Sequence, residues 1–126
     1  MNKVAIVTGG TRGIGEGICL ALQAQGRTVV ANYAGNEEKA RAFTERTGIP
    51  AYKWDVGDHE ATMAGCQRVA EEIGPIDIVV NNAGLSLSKP LLETTDADWD
   101  LQHNVMAKGS FLVSRAAAKV LIEQKL

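Results

Sequence analysis

The sequence predicts an α/β protein in which a parallel sheet carries helices on both faces. Three observations lead there. Short apolar runs rich in β-branched residues recur along the chain, stretches with apolar residues at helical spacing separate them, and the connections are short. Right-handed strand, helix, strand crossovers then place the helices on the two faces of one sheet.

Val4 to Val7 is the first strand, apolar throughout and followed by glycines, as expected of a strand buried on both faces. Ile14, Ile18, Ala21 and Leu22 recur at helical spacing after it, and Gly26 is placed to stop that helix. Thr28 to Tyr33 reads as the second strand. Asn36 followed by Glu37 and Glu38 is an N-cap with acids against the helix dipole, opening a helix to about Arg46. The run "IPAYKWDV" gives a third strand with Pro50 at its entry, and Asp58 caps the helix beyond, whose inner face is predicted to be Met63, Cys66, Ala70 and Ile73. Gly74 and Pro75 end it before a fourth strand, "IDIVV". Residues 85–95 form the longest irregular segment, and Thr95 with Asp98 resembles a capping box. A last helix from Asp96 to about Gln124 would run roughly 40 Å at 1.5 Å per residue. Its second half is apolar on more than one face, so one side is expected to pack on the sheet and another to need a second partner.

A length of 126 residues, 45% of them hydrophobic, suits one domain, and no repeat or linker divides it. A net charge of −2 from interspersed acids and bases supplies no field for nucleic acid or an anionic membrane. The amino terminus fits neither a signal peptide nor a membrane span, so a soluble, cytoplasmic protein is expected. Cys19 and Cys66 lack redox or zinc spacing and read as reduced packing residues. His59 and His103 have no ligand-spaced companions and read as surface residues, leaving no metal site expected.

The stretch "VTGGTRGIG", Val7 to Gly15, carries the chemistry. A glycine-rich turn between a strand and a helix aims free helical N–H groups and the positive dipole end at whatever lies beyond the strand, which suits phosphate. Glycine permits positive φ and close approach, so Gly9, Gly13 and Gly15 suit a dinucleotide's pyrophosphate, with the amides from Thr8 through Thr11, Arg12 and Ile14 to Gly15 as its cradle. The competing reading is a tight turn without a ligand. A P-loop is a poorer fit, because Glu16 and Gly17 stand where that loop needs Lys and Ser or Thr.

Thr8-Gly9, Gly13 and Gly15, together with "NNAG" at Asn81 to Gly84 directly after the fourth strand, resemble the short-chain dehydrogenase/reductase family. The resemblance implies a partial Rossmann-type sheet of order 3-2-1-4, a dinucleotide-binding domain over residues 1–126 that stops before the fifth strand. Residues 1–84 look most like acetoacetyl-CoA (3-oxoacyl) reductases, which reduce a 3-oxoacyl thioester with NADPH. Residues 85–126 look more like the sugar-alcohol dehydrogenase portion of bifunctional aldolase/dehydrogenases.

An NAD site usually carries an acid at the end of the second strand for the ribose 2′-hydroxyl, and here stand Asn32 and Tyr33. With no carboxylate to repel a 2′-phosphate, and with Arg12 where similar NADP-dependent members hold a cation, NADP is the expected coenzyme. The alternative for Arg12 is an exposed charge at a helix start, where the dipole disfavours it. By resemblance, Asp55 and Val56 meet the adenine, and Asn81, Ala83 and Gly84 the ribose side. Asp55 could equally cap a turn, and Asn81 and Asn82 could satisfy backbone groups at the strand exit.

The family's proton donor is a tyrosine in Y-x-x-x-K, helped by an upstream serine. Here Tyr33 and Tyr52 are followed four positions on by Glu37 and Val56, and the serine, tyrosine and lysine would all lie beyond Leu126. Met106 falls where many members place a further catalytic asparagine, counted from Trp99, Gly109 and Phe111, and Asn104 is about 200° away around a helix. The chain is therefore expected to be the coenzyme-binding half of an oxidoreductase, without catalytic residues and inactive alone. The alternative is a non-catalytic nucleotide-binding or self-associating module. A fourth strand with an unpaired edge and an uncovered apolar helix face predict a homo-oligomer or a complementing segment.

Overall fold

A computed structural model describes residues 3–124. Four parallel strands, β1 (Val4–Val7), β2 (Thr28–Tyr33), β3 (Ala51–Lys53) and β4 (Ile76–Val80), lie in the order β3-β2-β1-β4. Helices α1 (Gly13–Ala24), α2 (Glu37–Thr47) and α3 (His59–Glu72) alternate with them, and α4 (Asp96–His103) and α5 (Gly109–Gln124) follow. Val4 pairs with Thr28 on one side and Ile76 on the other, so the strand ends fall level at the carboxyl edge, apart from a register shift between Val4 and Ala5. The predicted Rossmann-type α/β sheet and its order are thus observed.

Alternation along β1 and β2 divides the core. Val4, Ile6 and Val30 face α3 and α5, where Cys66, Val69, Val113, Ala116 and Val120 meet them together with Trp54. Val7, Val29 and Ala31 face the other way, onto Cys19 of α1 and Phe43 of α2. Each Val or Ile fully buried here contributes about 1.5–3 kcal/mol relative to exposure. Both cysteines are buried, and burial pushes each thiol up to about 11, with Glu16 adding to the effect at Cys19.

Helix starts follow the sequence closely. Asn36 accepts from the Lys39 N–H, Asp58 from that of Ala61, and Thr95 and Asp98 form a complete capping box. Gly26 and Gly48 take left-handed φ values of 82° and 73° behind α1 and α2.

Four expectations need correction. The strand expected in "IPAYKWDV" pairs only over Ala51–Lys53, because Trp54 already turns its indole into the α3 face, where Gly65 leaves room for the ring. The buried stripe of α3 is Thr62, Gly65, Cys66 and Val69, with Met63, Ala70 and Ile73 at its border. Ile14 is exposed at the first turn of α1, and Cys19 takes the core position. The last helix does run from Asp96 to Gln124, but not as one α-helix: a π turn, Asn104–Lys108, joins α4 to α5 opposite Gly57, where a Cβ would lie 3.0 Å from the Asn104 carbonyl oxygen. No helix among the described residues is long and apolar enough to cross a membrane.

Candidate functional site

All four strands deliver their carboxyl ends to one crevice of about 600 Å³. Its floor is the loop from β1 to α1. Gly9 and Gly13 hold φ of 62° and 58°, which disfavours any side chain at either position. A Cβ on Gly13 would meet nothing within 4 Å, so that side of the loop is open to a ligand. A Cβ on Gly15 would lie 2.2 Å from the Gly9 carbonyl oxygen and 2.6 Å from Asn82 Nδ2, so Gly15 is where helix and loop touch.

The start of α1 differs from those of α2, α3 and α4. Arg12 occupies its N-cap in extended conformation and makes no side-chain cap hydrogen bond. The first-turn amides and the positive dipole end of α1 therefore face the crevice without an internal acceptor. Glu16, the acid of that turn, is tied to Arg46. Two cations stand on the walls, Arg12 from the loop and Lys39 from the first turn of α2, and among the described residues neither forms an ion pair. The one acid on the walls, Asp55, spends Oδ1 on the Gly57 N–H in a turn of its own.

Two asparagines hold the loop from opposite sides. Asn82 Nδ2 donates to the carbonyls of Thr8 and Gly9, while Thr8 Oγ1 accepts from the N–H groups of Asn82 and Ala83 and donates to the Val80 carbonyl. On the other side Asn32 Oδ1 accepts from the Gly9 N–H, and Nδ2 donates to the Trp54 carbonyl. The loop is thereby bonded to the ends of β2 and β4.

Gly9, Thr11, Arg12, Gly13, Ile14, Gly15, Asn32, Tyr33, Asp55, Val56, Ala83 and Gly84 all line the crevice. Asn81 is not among its lining residues, because its Nδ2 donates to Ser114 Oγ on α5, behind the crevice. Sequence reasoning missed Lys39, and it missed Leu101 and Val105, which close the far wall from α4 and the π turn. Lys39 was findable as the first cation beyond the Asn36 cap, whereas the apolar pair required the tertiary fold. Asn104 and Met106 are exposed and do not line the crevice. His59 and His103 are surface residues, His59 bonded to Arg115 and His103 stacked on Trp99.

A parallel sheet opening at its carboxyl edge onto a glycine loop and an uncapped helix defines a Rossmann-type dinucleotide-binding architecture. The short chain dehydrogenase family model matches residues 3–126, and the chain belongs to that family. It is 52% identical over 99 residues to the acetoacetyl-CoA reductase of Rhizobium meliloti (strain 1021), covering 79% of this chain and 41% of that protein. Over 129 aligned positions it is 40% identical to the uncharacterized oxidoreductase YuxG of Bacillus subtilis (strain 168), covering 98% of this chain and 19% of that one. A blue fluorescent protein from a metagenomic library, solved in complex with NADPH, matches with a TM-score of 0.83 and 33% identity over 93% of this chain and 50% of that one. The chain thus spans less than half the length of the acetoacetyl-CoA reductases it matches.

Proposed function

We propose that this chain is the coenzyme-binding half of an NADP-dependent short-chain oxidoreductase acting on a 3-oxoacyl thioester, as the similar acetoacetyl-CoA reductases are named for doing. The observation that carries the reading is the uncapped start of α1, open to a crevice whose cations, Arg12 and Lys39, are in no ion pair among the described residues. The amides of Thr11 to Gly15 hold the pyrophosphate. Arg12 and Lys39 meet the 2′-phosphate beside Tyr33, a position where a carboxylate would repel it. Asp55 and Val56, with the apolar wall of Leu101 and Val105, receive the adenine, and Ala83 and Gly84 receive the ribose nearest the reacting ring.

When bound, the coenzyme supplies hydride. Proton delivery to the alkoxide needs a donor that these 126 residues do not hold in Y-x-x-x-K form, so the chain binds coenzyme without turning it over. Titrating NADPH fluorescence with the protein tests this. Saturable binding is expected, and Arg12→Ala should weaken it about tenfold, as for one charge-assisted contact. No binding by the wild-type chain, or appreciable reduction of acetoacetyl-CoA by it, would overturn the reading.

A second reading, a self-associating module, draws on the outer surface. Leu91, Leu92, Trp99, Phe111 and Ile122 are all exposed, apolar side chains that contact with a second copy would remove from water. The two readings are compatible in a homo-oligomer that binds coenzyme.

A further inference from the structure

Asn32 is 2% exposed, and both ends of its amide are spent inside the protein. Oδ1 accepts from the Gly9 N–H at 3.2 Å and Nδ2 donates to the Trp54 carbonyl at 2.9 Å. Its own carbonyl accepts from the Gly10 N–H at 3.1 Å. One residue on β2 therefore ties together the glycine loop after β1 and the chain leaving β3, the two segments that carry the pyrophosphate cradle and Asp55.

We propose that Asn32 is a positioning residue for the crevice: its amide fixes the Gly9 peptide and the Trp54 carbonyl relative to each other, and it acts on dinucleotide affinity through them rather than by touching the ligand. The proposal rests on the coenzyme reading above. The amide is chemically specific at this place. One partner is an N–H and the other a C=O, so the side chain must accept at one atom and donate at the other. An ionised carboxylate would set a second acceptor against the Trp54 oxygen in a site closed to water, and that repulsion would push the side chain off the carbonyl and strain its bond to Gly9 as well. A protonated carboxylic acid, with one acceptor oxygen and one O–H, would restore both bonds.

Position 32 thus excludes an acid for an internal reason that precedes any coenzyme preference. The loop it holds is the one whose Gly9 needs φ of 62°, a conformation that the Asn32 bond on one side and the Asn82 bonds on the other keep in place. A ligand then meets amides that are already aimed.

Asn32→Asp is the discriminating variant, because protonation regenerates the brace within one protein. Affinities for oxidised NADP and for NAD are measured by calorimetry from about pH 8 to about pH 5, each relative to wild type at the same pH. Amide exchange at Gly9 is followed in the ligand-free proteins over the same range. At about pH 8 the variant should bind both dinucleotides about tenfold more weakly than wild type, the scale of one lost buried hydrogen bond, with faster Gly9 exchange. Both differences should shrink together as the introduced acid protonates. Weakening confined to NADP would place the side chain on the 2′-phosphate and overturn the proposal. So would unchanged affinity at about pH 8, or weakening with Gly9 exchange unmoved. Asn32→Ala lacks a titratable group and should be weakened by one factor at every pH, and recovery at low pH in that variant would also overturn it. If the wild-type chain binds neither dinucleotide, the coenzyme reading fails. The brace is then judged on ligand-free exchange alone, which upholds it if Gly9 is faster in the aspartate variant at high pH and refutes it otherwise.

Discussion

At the carboxyl edge of the sheet, Thr8, Gly9 and Gly10 are bonded by asparagines from β2 and from the β4 exit, whereas α4 and α5 leave Trp99, Phe111 and Ile122 facing outward. The first region is packed closely enough that a Cβ on Gly10 or Gly15 would collide with its neighbours, and its surplus is a set of unbonded helix amides. The second has a surplus of apolar surface and a helical run that changes pitch at Asn104–Lys108. Each surplus marks a place where the isolated molecule has unmet physical demand. At the loop that demand fits an anion, and on the helices it fits other apolar surface.

The largest effect is expected at Gly15. Its missing Cβ is what lets α1 rest on the Gly9 carbonyl and Asn82, so Gly15→Ala should cost about 3 kcal/mol in urea unfolding and remove NADPH binding. Gly17, two residues on in the same helix, has open space around it, and Gly17→Ala should instead stabilise by about 0.5–1 kcal/mol while leaving binding intact. Equal effects of the two substitutions would mean that the loop is not held by close packing.

On the helical side, Phe111→Lys and Ile122→Lys put charge on side chains that are more than half exposed. Stability should stay within about 0.5 kcal/mol of wild type, since neither residue fills the core. Sedimentation velocity should nevertheless show the two substitutions together shifting the protein toward monomer, because charge opposes burial of that face. An unchanged mass distribution would place self-association elsewhere, with the open edge of β4 next in line.

The same division governs what was legible in the sequence. Up to Gly84 the signals are local: a β-branched run ends at glycines, Asn36 and Asp58 cap the helices they precede, and Gly48 stops α2, so the elements fall where the pattern puts them, with only the third strand shorter than expected. The crevice residues were readable for the same reason, because a parallel sheet brings every strand's carboxyl end to one edge. What escaped depends on partners distant in sequence. Asn81 points to Ser114 rather than the crevice, and nothing in "NNAG" distinguishes the asparagine bonded to α5 from the one bonded to Thr8 and Gly9. The π turn faces Gly57, so its place is set by a loop some fifty residues earlier rather than by the 3.6-residue repeat of its own sequence.

The smallest expected effect lies at the junction of the two regions, the capping box that opens α4. A hydrogen bond from Lys89 holds the Asp98 carboxyl below its ordinary value, and the Thr95 backbone N–H adds to this. A carboxyl whose pKa is lower in the folded than in the unfolded chain stabilises the fold above its unfolded value, about 3.9, and loses that contribution as pH falls through the lower folded value. Asp98→Asn keeps an acceptor for Thr95 but removes the charge facing Lys89. Wild type should therefore be slightly more stable than the variant at about pH 7, and the two urea midpoints should converge below about pH 4. A gap that persists unchanged into acid would mean that the cap acts through shape alone, as the uncharged Asn36 cap of α2 does, and that Lys89 adds nothing to the start of α4.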